Sequence, residues 1–251
     1  MENLNRITND ELNNYLVKDI VLSNYKAAEV LEKYGIDYCC NGKKPLYQAI
    51  KEKNLAANEV ITEIKKKFET DSKNENSFEL WNLRDLADHI VSTHHEYVRS
   101  AIPSIQAHLE KITNKHGKKY QYLFDVNQIF NLLAQEMISH MQKEEQILFP
   151  LIKYIADMEH FHEKPKTHGY GTVQNPITKM EQEHDMAGNY TEAIKKLTDN
   201  YSLPNDACTT FALAYKELEN FEKDLHKHIH LENNILFPRV IEIEKKLLNN
   251  N

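Results

Sequence analysis

The chain has 251 residues, with 31 Lys or Arg against 38 Asp or Glu and a formal charge of −7. That length supports one large domain or two smaller ones with a real apolar core. An acidic balance without a dense basic stripe argues against nucleic acid as the main partner, and no run of about 18 apolar residues offers a membrane span.

Only 6 Gly and 7 Pro stand among abundant Leu, Glu, Lys, Ala and Ile, so an all-α protein is expected. The opening MENLNRITNDELNNYLV lacks the basic start and apolar core of a signal peptide, so export is not expected. Three cysteines, two of them adjacent, are too few for a disulfide framework and fit a reducing cytoplasm.

From the N-terminus, Thr8 and Glu11 spell a capping box. Ser23 is placed to cap AAEVLEKYG, with Gly35 as its stop, and Leu55 to Phe68 repeats apolar residues at helical spacing. This part reads as three or four short helices. The run Lys65 to Lys67 closes the last one, where cations favour the macrodipole, and reads as a solvated terminus. Residues 70 to 79, TDSKNENSFE, are polar and without apolar periodicity. The expected division is a small helical domain over 1–70, a linker over 71–79 and a larger domain over 80–251.

Four longer helical stretches follow, near Leu83 to Thr113, Tyr120 to Glu159, Ile177 to Leu197 and Asp206 to Leu248, of lengths that suit an antiparallel four-helix bundle. Between the second and third, His160 to Pro176 holds Pro165, Gly169 and Gly171 and reads as an irregular loop. Its His160, His162 and His168 have no regular spacing or nearby cysteine, so a polar surface loop is expected rather than a second metal site.

The strongest signal is an internal echo. HMQKEEQILFP at His140 to Pro150 and HIHLENNILFP at His228 to Pro238 are identical at six of eleven positions. Each copy contains HxxxE, which sets imidazole and carboxylate four residues apart on one helical face, close enough to share a metal. Each is preceded by a His followed by an acid, His95–Glu96 lying 45 residues ahead and His184–Asp185 lying 44 ahead. A single such histidine reads as a surface or hydrogen-bonded residue, but the repetition points to four imidazoles and two carboxylates, a dinuclear ligand set. Imidazole suits iron, and carboxylate can bridge two cations and offset their charge, so iron is the first choice. Manganese stays an alternative. Zinc and calcium are weaker ones, given the preference of structural zinc for closed four-ligand sites and of calcium for more oxygens.

Helical faces separate ligands from decoys. His228 shares its face with Leu225, Leu231, Glu232 and Ile235, whereas His226 and His230 read as facing water. His140 lies with Leu133, Met137, Glu144, Ile147 and Leu148. Periodicity does not choose between His94 and His95; the His-acid pairing favours His95. Glu136 and Asp224, four residues before His140 and His228, are candidates to orient a ligand or relay protons, against the plainer reading of ordinary helix acids.

KYGIDYCCNGKKPL at residues 33 to 46, His95 in HHEYVRSAIP, the two echo segments, and MEQEHDMAG at Met180 to Gly188 together resemble hemerythrin-like proteins. They resemble more closely the Repair of Iron Centers family of di-iron proteins, which restore iron–sulfur clusters damaged by oxidative or nitrosative stress. The resemblance implies a hemerythrin-like bundle with two Fe ions in a non-haem centre, with His95, His140, His184 and His228 as terminal ligands and Glu144 and Glu232 as bridges. Hemerythrin proper uses an additional histidine, so the smaller set here implies an open coordination position for exchange, nitric oxide or oxygen species.

The implied partners are iron–sulfur client proteins, and a homo-oligomer is compatible with the reading. The alternative function is a redox enzyme or sensor acting directly on nitric oxide or oxygen species; if catalytic, it is a di-iron oxidoreductase. The N-terminal part is similar to the small domain that accompanies such repair proteins. Its Cys39 and Cys40 can pair only through a strained ring, which leaves thiol exchange, transient metal binding, or simple packing in a turn. Cys208, near the start of the last helix, reads as a buried small apolar residue.

Overall fold

The computed structural model describes residues 8–39, 41–69, 78–165, 169 and 171–249, and among them the regular structure is helical, apart from one isolated bridge between Leu16 and Pro45. The chain divides into two compact units: residues up to Asn82 with Ile229–Leu236, and Leu83–His228 with Phe237–Asn251. Most of the expected linker and all of Cys40 and His168 lie outside the described residues.

The N-terminal residues form five helices: α1 (Asn9–Asn14), α2 (Val17–Ser23), α3 (Ala27–Lys33), α4 (Leu46–Glu52) and α5 (Ala57–Glu69). The capping box at α1 is present, with the Thr8 backbone N–H donating to Glu11 Oε2 at 2.6 Å and the Glu11 N–H donating to Thr8 Oγ1 at 3.3 Å. Gly35 takes φ +64 and ends α3, a conformation that a Cβ disfavours. Ser23 does not cap α3. It is the last residue of α2, its hydroxyl donates back to the Asp19 carbonyl, and Asn24 makes the turn by accepting the Lys26 N–H at 2.9 Å. The extra helix beyond the three or four expected arises because the chain breaks at Leu16, whose extended backbone bridges to Pro45.

Four long helical segments follow residue 82. The first is α6 (Leu83–His89), a π turn at Ile90–His95 and α7 (Glu96–His116); the second is α8 (Tyr122–Lys143), a π turn at Glu144–Leu148 and α9 (Phe149–Phe161). The third is α10 (Gln174–Leu197). The fourth is α11 (Thr209–Leu231), a π turn at Glu232–Leu236 and α12 (Phe237–Asn249). Helix α8 packs on α7 and α10, while α9 packs on α6 and α12. The buried residues of α8, Leu123, Val126, Phe130, Leu133, Ala134, Met137 and Met141, recur at the helical period and line the core. Phe130 of α8 meets Phe221 of α11 edge-on, their ring centroids 5.5 Å apart.

Two of the π turns have a cause in the echo. Pro150 and Pro238 each lie just after one, in the first turn of α9 and α12. A proline inside a continuous helix cannot donate its hydrogen bond and its ring crowds the carbonyl four residues back, and a locally widened turn relieves both. The segment after α9 begins at His162, which takes φ 57 as the helix ends, and α10 starts at Gln174, ahead of the expected Ile177. His160 and His162 are exposed, in keeping with a surface segment.

At the end of the bundle distant from these turns, the α7–α8 connection is tied to the approach to α11. Lys119 Nζ lies 2.5 Å from Asp206 Oδ2, and the Tyr120 hydroxyl donates to the same carboxylate. These two bonds hold the Asp206 carboxyl down to about 2. A carboxyl depressed in the fold stabilises it fully above its unfolded value and loses that contribution as pH falls through the folded one. The stability difference between wild type and Asp206→Asn, read from urea unfolding, is therefore expected to be constant above about pH 5 and to shrink towards about pH 2.5. A difference independent of pH over that range would rule out the charge as its source.

Candidate metal centre

The buried residues of the long helical segments include four histidines and two glutamates. His95, Glu144, His228 and Glu232 form one group, and His140, Glu144, His184 and Glu232 the other; in each, one ligand atom per residue lies within 4.8 Å of all the rest. All six side chains are buried, with Glu144, Glu232, His95 and His228 at 0% exposure. His95 Nε2 and His228 Nε2 are 3.3 Å apart, and His140 Nε2 and His184 Nε2 are 3.1 Å apart. Glu144 Oε2 stands 3.3 Å from both His95 Nε2 and His140 Nε2, so one carboxylate oxygen serves both groups.

These donors fit a pair of divalent cations. Donor atoms about 2 Å from a shared metal sit roughly 3 Å from one another, the separation found for each histidine pair. Buried carboxylates are costly as ions unless a cation offsets them, and each histidine pair turns its ring nitrogens towards such a carboxylate. The groups also cross between the echo copies: the lone His95 of the first copy joins His228 of the second, and His184 joins His140. Spacing alone could not show that pairing.

The phenylalanine that recurs in the echo has a packing role. Phe149 stacks on His95 with centroids 5.7 Å apart and planes at 17°, and Phe237 stacks on His184 at 6.2 Å and 3°. Each copy thus supplies the ring that orients the lone upstream histidine of its own half.

The outer nitrogens of two histidines meet carboxylates that spacing did not single out. His95 Nδ1 is 2.6 Å from Glu145 Oε1, and that carboxylate also accepts from Arg99. His140 Nδ1 is 3.0 Å from Glu183 Oε2, with Lys143 Nζ 2.5 Å from Glu183 Oε1. Burial raises both carboxyl pKa values, but the histidine and cation bonds outweigh it, lowering Glu145 and bringing Glu183 to about 2. The available signal was adjacency, since Glu145 follows Glu144 and Glu183 precedes His184. Helical periodicity turns adjacent side chains about 100° apart and so argued against them.

The other candidates fall elsewhere. Glu136 is exposed, and Asp224 bonds His94, with Oδ1 3.0 Å from His94 Nδ1. His94 is itself buried and stacks on His228, centroids 5.8 Å apart and planes at 5°. His226 is half-buried. The water-facing expectation for His230 is overturned: the ring has 0% exposure, accepts from Asn234 Nδ2 at 3.0 Å and meets Tyr38 edge-on at 5.4 Å. Burial pushes its pKa down to about 3, so it is neutral. Cys39 is buried, its thiol 3.2 Å from Asp37 Oδ1. Cys208 is half-buried rather than a core residue, with Sγ 3.3 Å from His116 Nε2.

A helical bundle carrying two His/Glu groups of this kind is hemerythrin-like. The family profile described as Hemerythrin HHE cation binding domain matches residues 86–240, and one described as a domain of unknown function, DUF542, matches residues 13–67. The iron–sulfur cluster repair protein YtfE of Enterobacter sp. strain 638 is 35% identical over 224 residues, covering 89% of this chain and 94% of that protein. The YtfE proteins of Escherichia coli O81 strain ED1a and of Escherichia fergusonii match with the same identity and coverage. The chain belongs to this YtfE family of iron–sulfur cluster repair proteins. Among the described residues, no helix is long and apolar enough to cross a membrane.

The Phe211 backbone N–H at the start of α11, aided by Lys115 and opposed by burial, lowers the Cys208 thiol pKa. In a Cys39→Ser, Cys40→Ser background, alkylation of Cys208 by iodoacetamide is expected to show a midpoint below the roughly 8.5 of an ordinary thiol. A midpoint at or above that value would show that the helix start does not stabilise the thiolate.

Proposed function

We propose that the chain holds a dinuclear iron centre and uses it, in the cytoplasm, to restore iron–sulfur clusters of client proteins damaged by oxidative or nitrosative stress. One observation carries the reading: a buried carboxylate oxygen shared at 3.3 Å by histidines of two ligand groups, in a chain whose relatives are named for cluster repair. In this reading His95, His140, His184 and His228 are terminal ligands and Glu144 and Glu232 bridge. The donor set of imidazoles and carboxylates suits iron, with manganese as the competing occupant.

When bound, iron would supply labile ferrous ions and one-electron chemistry. The chain's own contribution is to hold the donors. Phe149 and Phe237 fix two rings by stacking, and the burial of all six side chains keeps bulk water from competing for them. With six protein side chains for two metals, coordination positions stay open for exchange, nitric oxide or oxygen species. The reading also treats residues 1–70 as a small helical domain and 80–251 as the metal-binding domain, a partition supported by separate family matches over 13–67 and 86–240.

Elemental analysis of anaerobically reconstituted protein is expected to give two irons per chain in wild type. Glu144→Ala, which removes a donor from both groups, should lose most of both, whereas His184→Ala should retain about one. Equal losses in the two variants would overturn the shared bridge.

Repair is tested by incubating the iron-loaded protein anaerobically with a nitric-oxide-damaged [4Fe–4S] dehydratase. Recovery of dehydratase activity with wild type and not with Glu144→Ala is expected. Failure of the loaded wild type, with steady nitric oxide consumption in the absence of a client, would replace repair by direct redox catalysis.

A further inference from the structure

The two echo copies differ where they touch the outer edges of the ligand histidines. Five residues after its HxxxE histidine the first copy has Glu145 and the second has Asn233; one residue before its lone histidine the second has Glu183 and the first has His94. Each ligand group contains a histidine backed by a carboxylate, His95 by Glu145 in one and His140 by Glu183 in the other. Repetition alone would not produce this arrangement, because each acid occupies a position that is not acidic in the other copy.

Glu145 has a further peculiarity. Glu144 Oε2 lies 3.3 Å from His95 Nε2, while Glu145 Oε1 lies 2.6 Å from Nδ1 of the same ring. Consecutive side chains of an α-helix diverge too far to hold opposite edges of one imidazole, and the π turn beginning at Glu144 accompanies their convergence. An ionised carboxylate only accepts, so Nδ1 carries the proton and Nε2 is left with the lone pair that a metal ion would take. Arg99 closes the chain: it donates to Glu145, and its other amino group donates to Glu96 at 2.8 Å.

We propose that Glu145, held by Arg99, is a positioning residue that fixes the tautomer and orientation of His95 and thereby slows release of the metal from the His95–His228 position alone. The proposal rests on the dinuclear reading above, and its test separates the two. Protein loaded with two ferrous ions is mixed with excess chelator, and release is followed together with the Mössbauer spectrum of the loaded form.

In Glu145→Ala one of two release phases is expected to accelerate about 10- to 100-fold, with a changed quadrupole doublet for one iron and the other unaltered. Glu145→Gln, whose amide oxygen still accepts from Nδ1 but carries no charge, should fall between wild type and Ala; being nearly isosteric, it also keeps the test open if the Ala variant fails to fold. As a control, Glu217→Gln disturbs a carboxylate bonded to Ser104 and His108 away from the ligand groups, and should release metal as wild type does. Wild type that binds fewer than two irons overturns the dinuclear reading itself. Wild type that binds two, beside a folded Glu145→Gln with the same release phases and spectrum, overturns the positioning role and leaves the dinuclear reading intact.

Discussion

Two carboxylates with no exposure to water, Glu144 and Glu232, are set among four buried imidazoles, and much of the bundle is organised around that placement. An isolated buried carboxylate would take up a proton or reach for water; here the histidines around it come from all four long helical segments. The helices that carry both glutamates widen there into π turns, Phe149 and Phe237 brace the rings of His95 and His184, and Glu145 and Glu183 take the outer nitrogens of His95 and His140. Fold and site are hard to separate in such a molecule. The same side chains that could hold metal also occupy the level at which a bundle would ordinarily be filled with Leu and Ile.

Features that depend on local chemistry were legible in the residues. The capping box at Thr8 and Glu11, the left-handed stop at Gly35 and the four long helices follow from patterns a few residues long, and the echo brought six side chains forward that the fold gathers into two groups. What stayed hidden depends on helices meeting one another or on a departure from the helical period. Glu183 reaches His140 across the α8–α10 contact, and Glu145 reaches His95 beside a π turn. His230 reads as solvent-facing on a helical wheel because its flanking positions are polar, yet Tyr38, distant in sequence, covers it. Cys208 looked like a core residue because thiols usually are, but the imidazole it faces belongs to the last residue of α7.

The echo is a duplication in ligands and a divergence in supports. His, Glu and Phe recur because geometry demands them twice, while the residues one step away differ in charge. Crossing of the two halves lets unlike supports serve equivalent positions: a carboxylate held by a guanidinium behind one histidine, a carboxylate held by an ammonium behind the other. A permanently charged guanidinium shared between Glu145 and Glu96 and the flexible point charge of a lysine are different clamps, so the two histidines are not held alike.

The π turns carry a consequence for any attempt to shorten, transplant or idealise these helices. Each is a place where the chain holds more residues than a uniform α-helix would use for the same advance. Removing a single residue between Glu145 and Leu148 would restore regular winding and leave the helix downstream on its present faces, at the cost of the widened turn itself. Phe149, Ile152 and Ile155 would stay buried, while the consecutive Glu144 and Glu145 would diverge by about 100° and no longer meet at His95. Heptad numbering therefore cannot be carried through the glutamates, and a designed bundle that copied the ligand letters onto straight helices would reproduce the inventory of donors without their convergence.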